Sequence, residues 1–215
     1  MQWRGVMLSR FTLQAPRSCA TRRLLLLLSL AGALQGCARP EAERRCPALE
    51  AGELALTELR GPPGADAPGQ PWLELYNAGQ RALDLEGLHL RFVRLDGGAE
   101  KAALVRRSVP APPAAYVVLS LEEDEARPAF AAYGLGAELT GAWFPSAAVQ
   151  VESCEDLVDQ VLHPRLPEAG SYALGVPAAA GDLTALNDQP GAWCVDGRGA
   201  PAQAGTPGRE NPPCR

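Results

Sequence analysis

The sequence predicts an all-β domain, a sandwich of short antiparallel strands, on three observations. Apolar and polar residues alternate with period two in segments such as 54–59 and 72–77, which is the repeat of a strand and not of a helix. Turn signals recur at intervals of about 8–12 residues, a spacing that suits a sandwich. The 22 Gly and 20 Pro among 215 residues are too many for a helical bundle and fit strands joined by many tight turns.

The first element in the chain lies outside that domain. Arg22-Arg23 precede an apolar run from Leu24 to Leu34. Crossing a bilayer takes about 20 apolar residues, so this run is too short for a span and fits the apolar region of an export signal. Leu34-Gln35-Gly36-Cys37 follows, which resembles the lipobox of bacterial lipoprotein precursors. The resemblance implies cleavage between Gly36 and Cys37, a diacylglyceride on the Cys37 thiol and acylation of the new amino group. Several acyl chains, at about 0.8 kcal/mol per buried methylene, make a stable membrane anchor. Residues 1–36 are therefore expected as a lipoprotein signal peptide. Residues 37–50, with Pro40 and Pro47 and no periodicity, are expected as a lipidated tether, and residues 51–215 as the displayed domain. Ala38-Arg39 after the cysteine, in place of Asp, resembles lipoproteins sorted to the outer membrane.

Charge narrows the partners. The first 36 residues hold five Arg and no acid, so their removal leaves 15 basic against 25 acidic residues, a net charge of −10. Such a surface repels phosphate backbones, and nucleic acid is excluded as an expected partner.

Within the domain, residues 53–59 form the first strand, with Leu54 and Leu56 on one face, and residues 60–69 are a Gly/Pro loop. In the second strand, 72–77, Trp72, Glu74 and Tyr76 share one side and Leu73 and Leu75 the other. Residues 83–87 lead into a strand over 88–95, closed by the hairpin signal Asp96-Gly97-Gly98. Further strands are expected at 102–109, 116–120, 147–152 and 157–162. The spacing predicts one helix over 121–132, started near Ser120 with Glu122, Glu123 and Asp124 in its first turn and cut short by Pro128. From Gly181 onward there is almost no periodicity, so cross-links or the packing of Trp193 must hold the tail.

Once Cys19 is removed and Cys37 lipidated, four cysteines remain: Cys46, Cys154, Cys194 and Cys214. An even remainder in an oxidising compartment reads as two disulfides. Three pairings are possible; Cys46–Cys154 with Cys194–Cys214 is favoured because the second bridge closes the Gly/Pro-rich tail. A zinc site is the poorer reading, since no cysteines have close ligand spacing.

Residues 54–90 resemble the opening of a lamin tail domain, an immunoglobulin-like module also found in exported bacterial proteins. The elements that match are Leu54-Ala55-Leu56-Thr57-Glu58-Leu59, Pro63-Gly64-Ala65-Asp66, Trp72-Leu73-Glu74-Leu75-Tyr76-Asn77 and Leu83-Asp84-Leu85-Glu86-Gly87-Leu88. Ser171-Tyr172-Ala173-Leu174, Trp193-Cys194 and Gly205-Thr206-Pro207-Gly208 to Asn211 resemble the bacterial form of the tail. Pro71 and Leu88 depart from the pattern, which carries Glu and Trp there. The resemblance implies an immunoglobulin-like sandwich and a role in tethering or binding within the envelope. By residue type, Trp72 and Tyr76 fill or cover the sandwich and Gly87 takes a strained turn. Glu58, Glu74, Asn77 and Asp84 tie neighbouring loops through backbone amides.

A catalytic constellation is not found. Ser171, His163 and Asp159 can be named as a triad, but no nucleophile-elbow motif surrounds Ser171. No phosphate-cradling glycine loop precedes a helix, and neither Asp66 nor the acidic run at 122–125 has calcium-loop spacing. The expected protein is a non-catalytic, lipid-anchored interaction module, with no cofactor or metal, whose partner is an envelope protein or polysaccharide. The alternative is an exported hydrolase or its accessory subunit.

Overall fold

Residues Leu54–Arg60 (β1) and Trp72–Asn77 (β2) pair antiparallel at the centre of a six-stranded sheet. The computed structural model describes residues 45–64, 69–136, 139, 144, 146–154, 156–199 and 203–215. The expected signal peptide, Gly36 and Cys37, most of the tether and Asp66 lie outside the described residues. The described strands, in chain order after β2, are β3 (Leu83–Asp84), β4 (Leu88–Arg94), β5 (Glu100–Leu104), β6 (Pro110–Ala111), β7 (Tyr116–Ser120), β8 (Tyr133–Gly134), β9 (Ala147–Ser153), β10 (Asp156–His163), β11 (Ser171–Leu174) and β12 (Trp193–Asp196).

They form an all-β fold. One sheet has the order β12-β11-β1-β2-β7-β8, a second β10-β9-β4-β5, and β3 pairs with β6 alone. All pairings are antiparallel except β7 with β8. Leu54, Leu56, Leu73 and Leu75 of the larger sheet meet Leu88, Leu90, Phe92, Val149 and Val151 of the smaller in one apolar cluster. Alternation in the sequence thus becomes a two-sheet core by burial of apolar area.

Three local expectations need correction. The 121–132 segment is a series of turns and not a helix. Ser120 Oγ accepts the Glu122 N–H at 3.1 Å, the bond of a helix start, but no helix follows. Pro128 supplies no N–H and disfavours helical geometry at Arg127. The Asp124 carboxylate is also drawn away to the Gly134 N–H (2.9 Å) and to Arg107 (3.0 Å). Second, the strand expected over 102–109 runs from Glu100 and ends at Leu104, because the Val109 N–H (2.9 Å) and Ser108 hydroxyl (2.7 Å) turn onto Asp84. Third, the tail beyond Gly181 contains a short helix, α1 (Leu183–Asn187), started by the Asp182 side chain, and strand β12.

Candidate functional site

The most unusual chemistry in the domain lies on the face of the larger sheet that looks away from the shared core. The β1–β2 register shifts between Leu56 and Glu58. A bulge of this kind sets two residues opposite one and re-aims a side chain. Here Thr57 and Glu58 both turn to the outer face, where Glu58 stands directly across from Glu74 of β2. Strict alternation would set Glu58 on the core face with Leu54 and Leu56, and the bulge turns it outward to meet Glu74; both residues are 0% exposed.

The cover comes from the far end of the chain. Residues 203–211 cross this face as a strap. The Thr206 N–H donates to Glu58 at 3.1 Å, and the Gly208 N–H donates to Glu74 at 2.6 Å. Asn211 Nδ2 donates to the Thr57 carbonyl at 2.8 Å, and the Thr206 hydroxyl donates to Asn211 Oδ1. From the sheet side, the Ser171 hydroxyl donates to Glu58 and the Thr57 hydroxyl to Glu74 at 2.9 Å. Arg60, also buried, reaches the Gly170 and Ala204 carbonyls at 3.0 and 3.3 Å. A Cβ at Gly205, whose φ is +114°, would overlap Glu58 Oε1 and the Ser171 hydroxyl, so the strap sits in direct contact with the pair.

Burial decides the electrostatics. Removal from water pushes Glu58 up to about 7 despite its donors, with Asp196 adding repulsion. Glu74 is held well above the usual carboxylate range, first by burial and then by the charge of Glu58. Two facing carboxyls in a dry site cannot both ionise cheaply, so burial and mutual repulsion favour the protonated form of the pair. Perturbed groups of this kind often mark active sites. Here, however, the strap leaves no room at Glu58 for a substrate atom.

The other predicted residues fall elsewhere. Asn77 ends β2, donating to the Ala111 and Arg81 carbonyls at 2.8 and 2.9 Å and accepting the Gly79 N–H. Asp84 caps its turn through the Glu86 and Val109 amides and the Ser108 hydroxyl; partial burial opposes these bonds, yet they hold its carboxyl below the usual range. Gly87 has φ +93°, and a Cβ there would strike the Arg45 carbonyl. Trp72 packs with Val118, Ala131 and Phe130 in a small cluster separate from the main core, whereas Tyr76 lies against Tyr116 with ring centroids 4.5 Å apart. Trp193 stacks on Tyr172 at 5.0 Å and donates its indole N–H to the Asn187 carbonyl at 2.7 Å. Cys46 is bonded to Cys154 and Cys194 to Cys214, with Cα atoms 5.4 and 5.7 Å apart. The second bridge anchors the end of the strap.

Asp159, which the sequence offered only as a triad candidate, is a further buried acid. Asp159 of β10 accepts the Leu56 N–H at 2.6 Å and Asn187 Nδ2 at 2.8 Å, tying the two sheets to α1. Ser171, His163 and Asp159 each bond to other groups: Glu58, the Pro164 carbonyl and Leu56 respectively. Among the described residues, no group of three or more His, Cys, Asp or Glu side chains is placed to hold a metal ion, and no helix is long and apolar enough to cross a membrane. In comparisons with known proteins, no family model matches the chain, and no curated protein matches it.

Proposed function

We propose that this protein is a lipid-anchored envelope protein that displays a non-catalytic, immunoglobulin-like module of the lamin tail kind. Its partner in this reading is an envelope protein or a polysaccharide, held through loops or an exposed strand edge. Anchoring is supported by Leu34-Gln35-Gly36-Cys37 behind its apolar run, and export by two disulfides, which persist in oxidising compartments. The observation that carries the non-catalytic reading is the sealing of Glu58 and Glu74. With the strap in place the acid pair is 0% exposed, and both carboxyls accept hydrogen bonds from the protein itself. General acid–base catalysis requires reach to a substrate proton.

The test is crosslinking in intact cells, run beside the same experiment on the Cys37→Ser variant. A specific envelope partner, recovered from the wild type and lost when the anchor is removed, is expected. Turnover of an esterase, nuclease or glycosidase substrate, abolished by a single substitution, would instead establish the exported hydrolase.

A further inference from the structure

The strap lies over a pair of acids that repel each other when both are charged. The Thr206 amide reaches Glu58 and the Gly208 amide reaches Glu74, Asn211 and the Ala204 carbonyl bond to Thr57 and Arg60, and its end is pinned through Cys214. The groups facing this pair come from several elements. Glu58 looks onto Arg60 of its own strand, Glu74 of β2 and Asp196 of β12. Glu74 looks onto Glu58 and onto Tyr116 of β7, which also feels Glu210 of the strap. Asp196 Oδ1 is taken by Arg198, while the buried Oδ2 has no hydrogen-bond partner among the described residues. Three carboxyls therefore share the enclosed space with one buried guanidinium, that of Arg60.

From this arrangement we propose that residues 203–211 form a pH-responsive strap, closed while the Glu58–Glu74 pair holds a proton and opening as that proton is lost. In the closed state, burial and mutual repulsion favour the protonated pair, and the strap amides still find carbonyl-like oxygens to bond. With the strap lifted, water reaches both carboxyls and both ionise in their ordinary range. Opening thus releases protons, and a rise in pH drives it. The lifted strap stays tethered by Cys194–Cys214, so the motion is a reversible uncovering of the β1–β2 face. What it uncovers is the polar row Ser171, Arg60, Glu58 and Glu74, a surface unlike the apolar core on the other side of the same strands. The proposal does not depend on the identity of any partner.

Hydrogen exchange on the intact, oxidised chain between pH 5.5 and 9 tests it, with rates corrected for intrinsic exchange. The amides of Ala204, Gly205, Thr206 and Gly208 are expected to lose protection by about tenfold per pH unit for each proton released on opening. The amides of β4 and β9 report the four-stranded sheet and are expected to keep theirs. Glu74→Gln removes the charge conflict and should flatten the pH dependence of the strap, with Glu58→Gln as the replacement variant if Glu74→Gln does not fold. Gly205→Ala should hold the strap open at every pH. Strap protection that is constant with pH in the wild type, or that falls in parallel with β4 and β9, would overturn the proposal. So would an unchanged slope in the folded Gln variant.

Discussion

Asp159 offers a quantitative test of how this domain handles buried charge. Its carboxyl is only 5% exposed and bridges the Leu56 N–H to Asn187. Burial pushes its pKa up to about 6 from an ordinary 3.8, against the opposing effect of those two donors. A difference of about two units corresponds to roughly 3 kcal/mol at about 1.4 kcal/mol per unit. The sign is set by linkage. Between pH 4 and pH 6 the unfolded chain has lost this proton and the folded chain keeps it, so stability falls as pH rises and then levels off. Asp159→Asn keeps an acceptor of the same shape and cannot ionise, whereas Asp159→Ala leaves two donors unsatisfied. Urea unfolding at pH 4, 6 and 8 should therefore show Asp159→Asn gaining on the wild type by about 3 kcal/mol between pH 4 and pH 8. Asp159→Ala should be the weaker of the two variants by about 1–3 kcal/mol at pH 8. A wild-type-to-Asn difference that stays flat with pH would refute the reasoning, and so would equal damage from Asn and Ala.

Other consequences can be measured on the same chain. Replacing Cys46 and Cys154 by Ala reopens a loop with a sequence separation of 108, and chemical denaturation should show a loss of about 5 kcal/mol; the shorter Cys194–Cys214 loop should cost about 3 kcal/mol. Trp72→Ala empties the small cluster under the 121–132 turns and should cost about 3–5 kcal/mol in urea, with the loss of exchange protection concentrated around β7. Gly87→Ala pushes a methyl against the Arg45 backbone at a positive φ and should lower stability by more than about 1 kcal/mol in thermal unfolding, where a neutral result would contradict the geometry.

Much of the fold could be read from the chain because the apolar alternation of β1, β2, β4, β7 and β9 is local. The placement of Glu58 and Glu74 could not. Period-two reasoning sets Glu58 on the face of Leu54 and Leu56 and Glu74 on the face opposite Leu73 and Leu75; a one-residue bulge at Thr57 brings the two acids together, and a segment some 150 residues later covers them. The Gly205-Thr206-Pro207-Gly208 to Asn211 pattern was visible, yet its target was not, since no local rule says which strand a distant loop will cover. The opposite error arose at 121–132. There the acids and Ser120 suggested a helix, but Arg107, from outside the segment, captured Asp124 and tertiary contacts overrode propensity. The structural role of Asp159, named in the sequence only as a triad candidate, was not legible because its partners, Leu56 and Asn187, are brought together only when the two sheets pack.

In the proposed function this all-β domain is carried outside the cytoplasm on a lipid attached to Cys37. Mass spectrometry of the amino-terminal peptide from the membrane fraction tests it most directly. The expected product is a chain that begins at Cys37 and bears a diacylglyceryl thioether, with a further acyl group on its amine. An unmodified chain that retains residues 1–36 would contradict it.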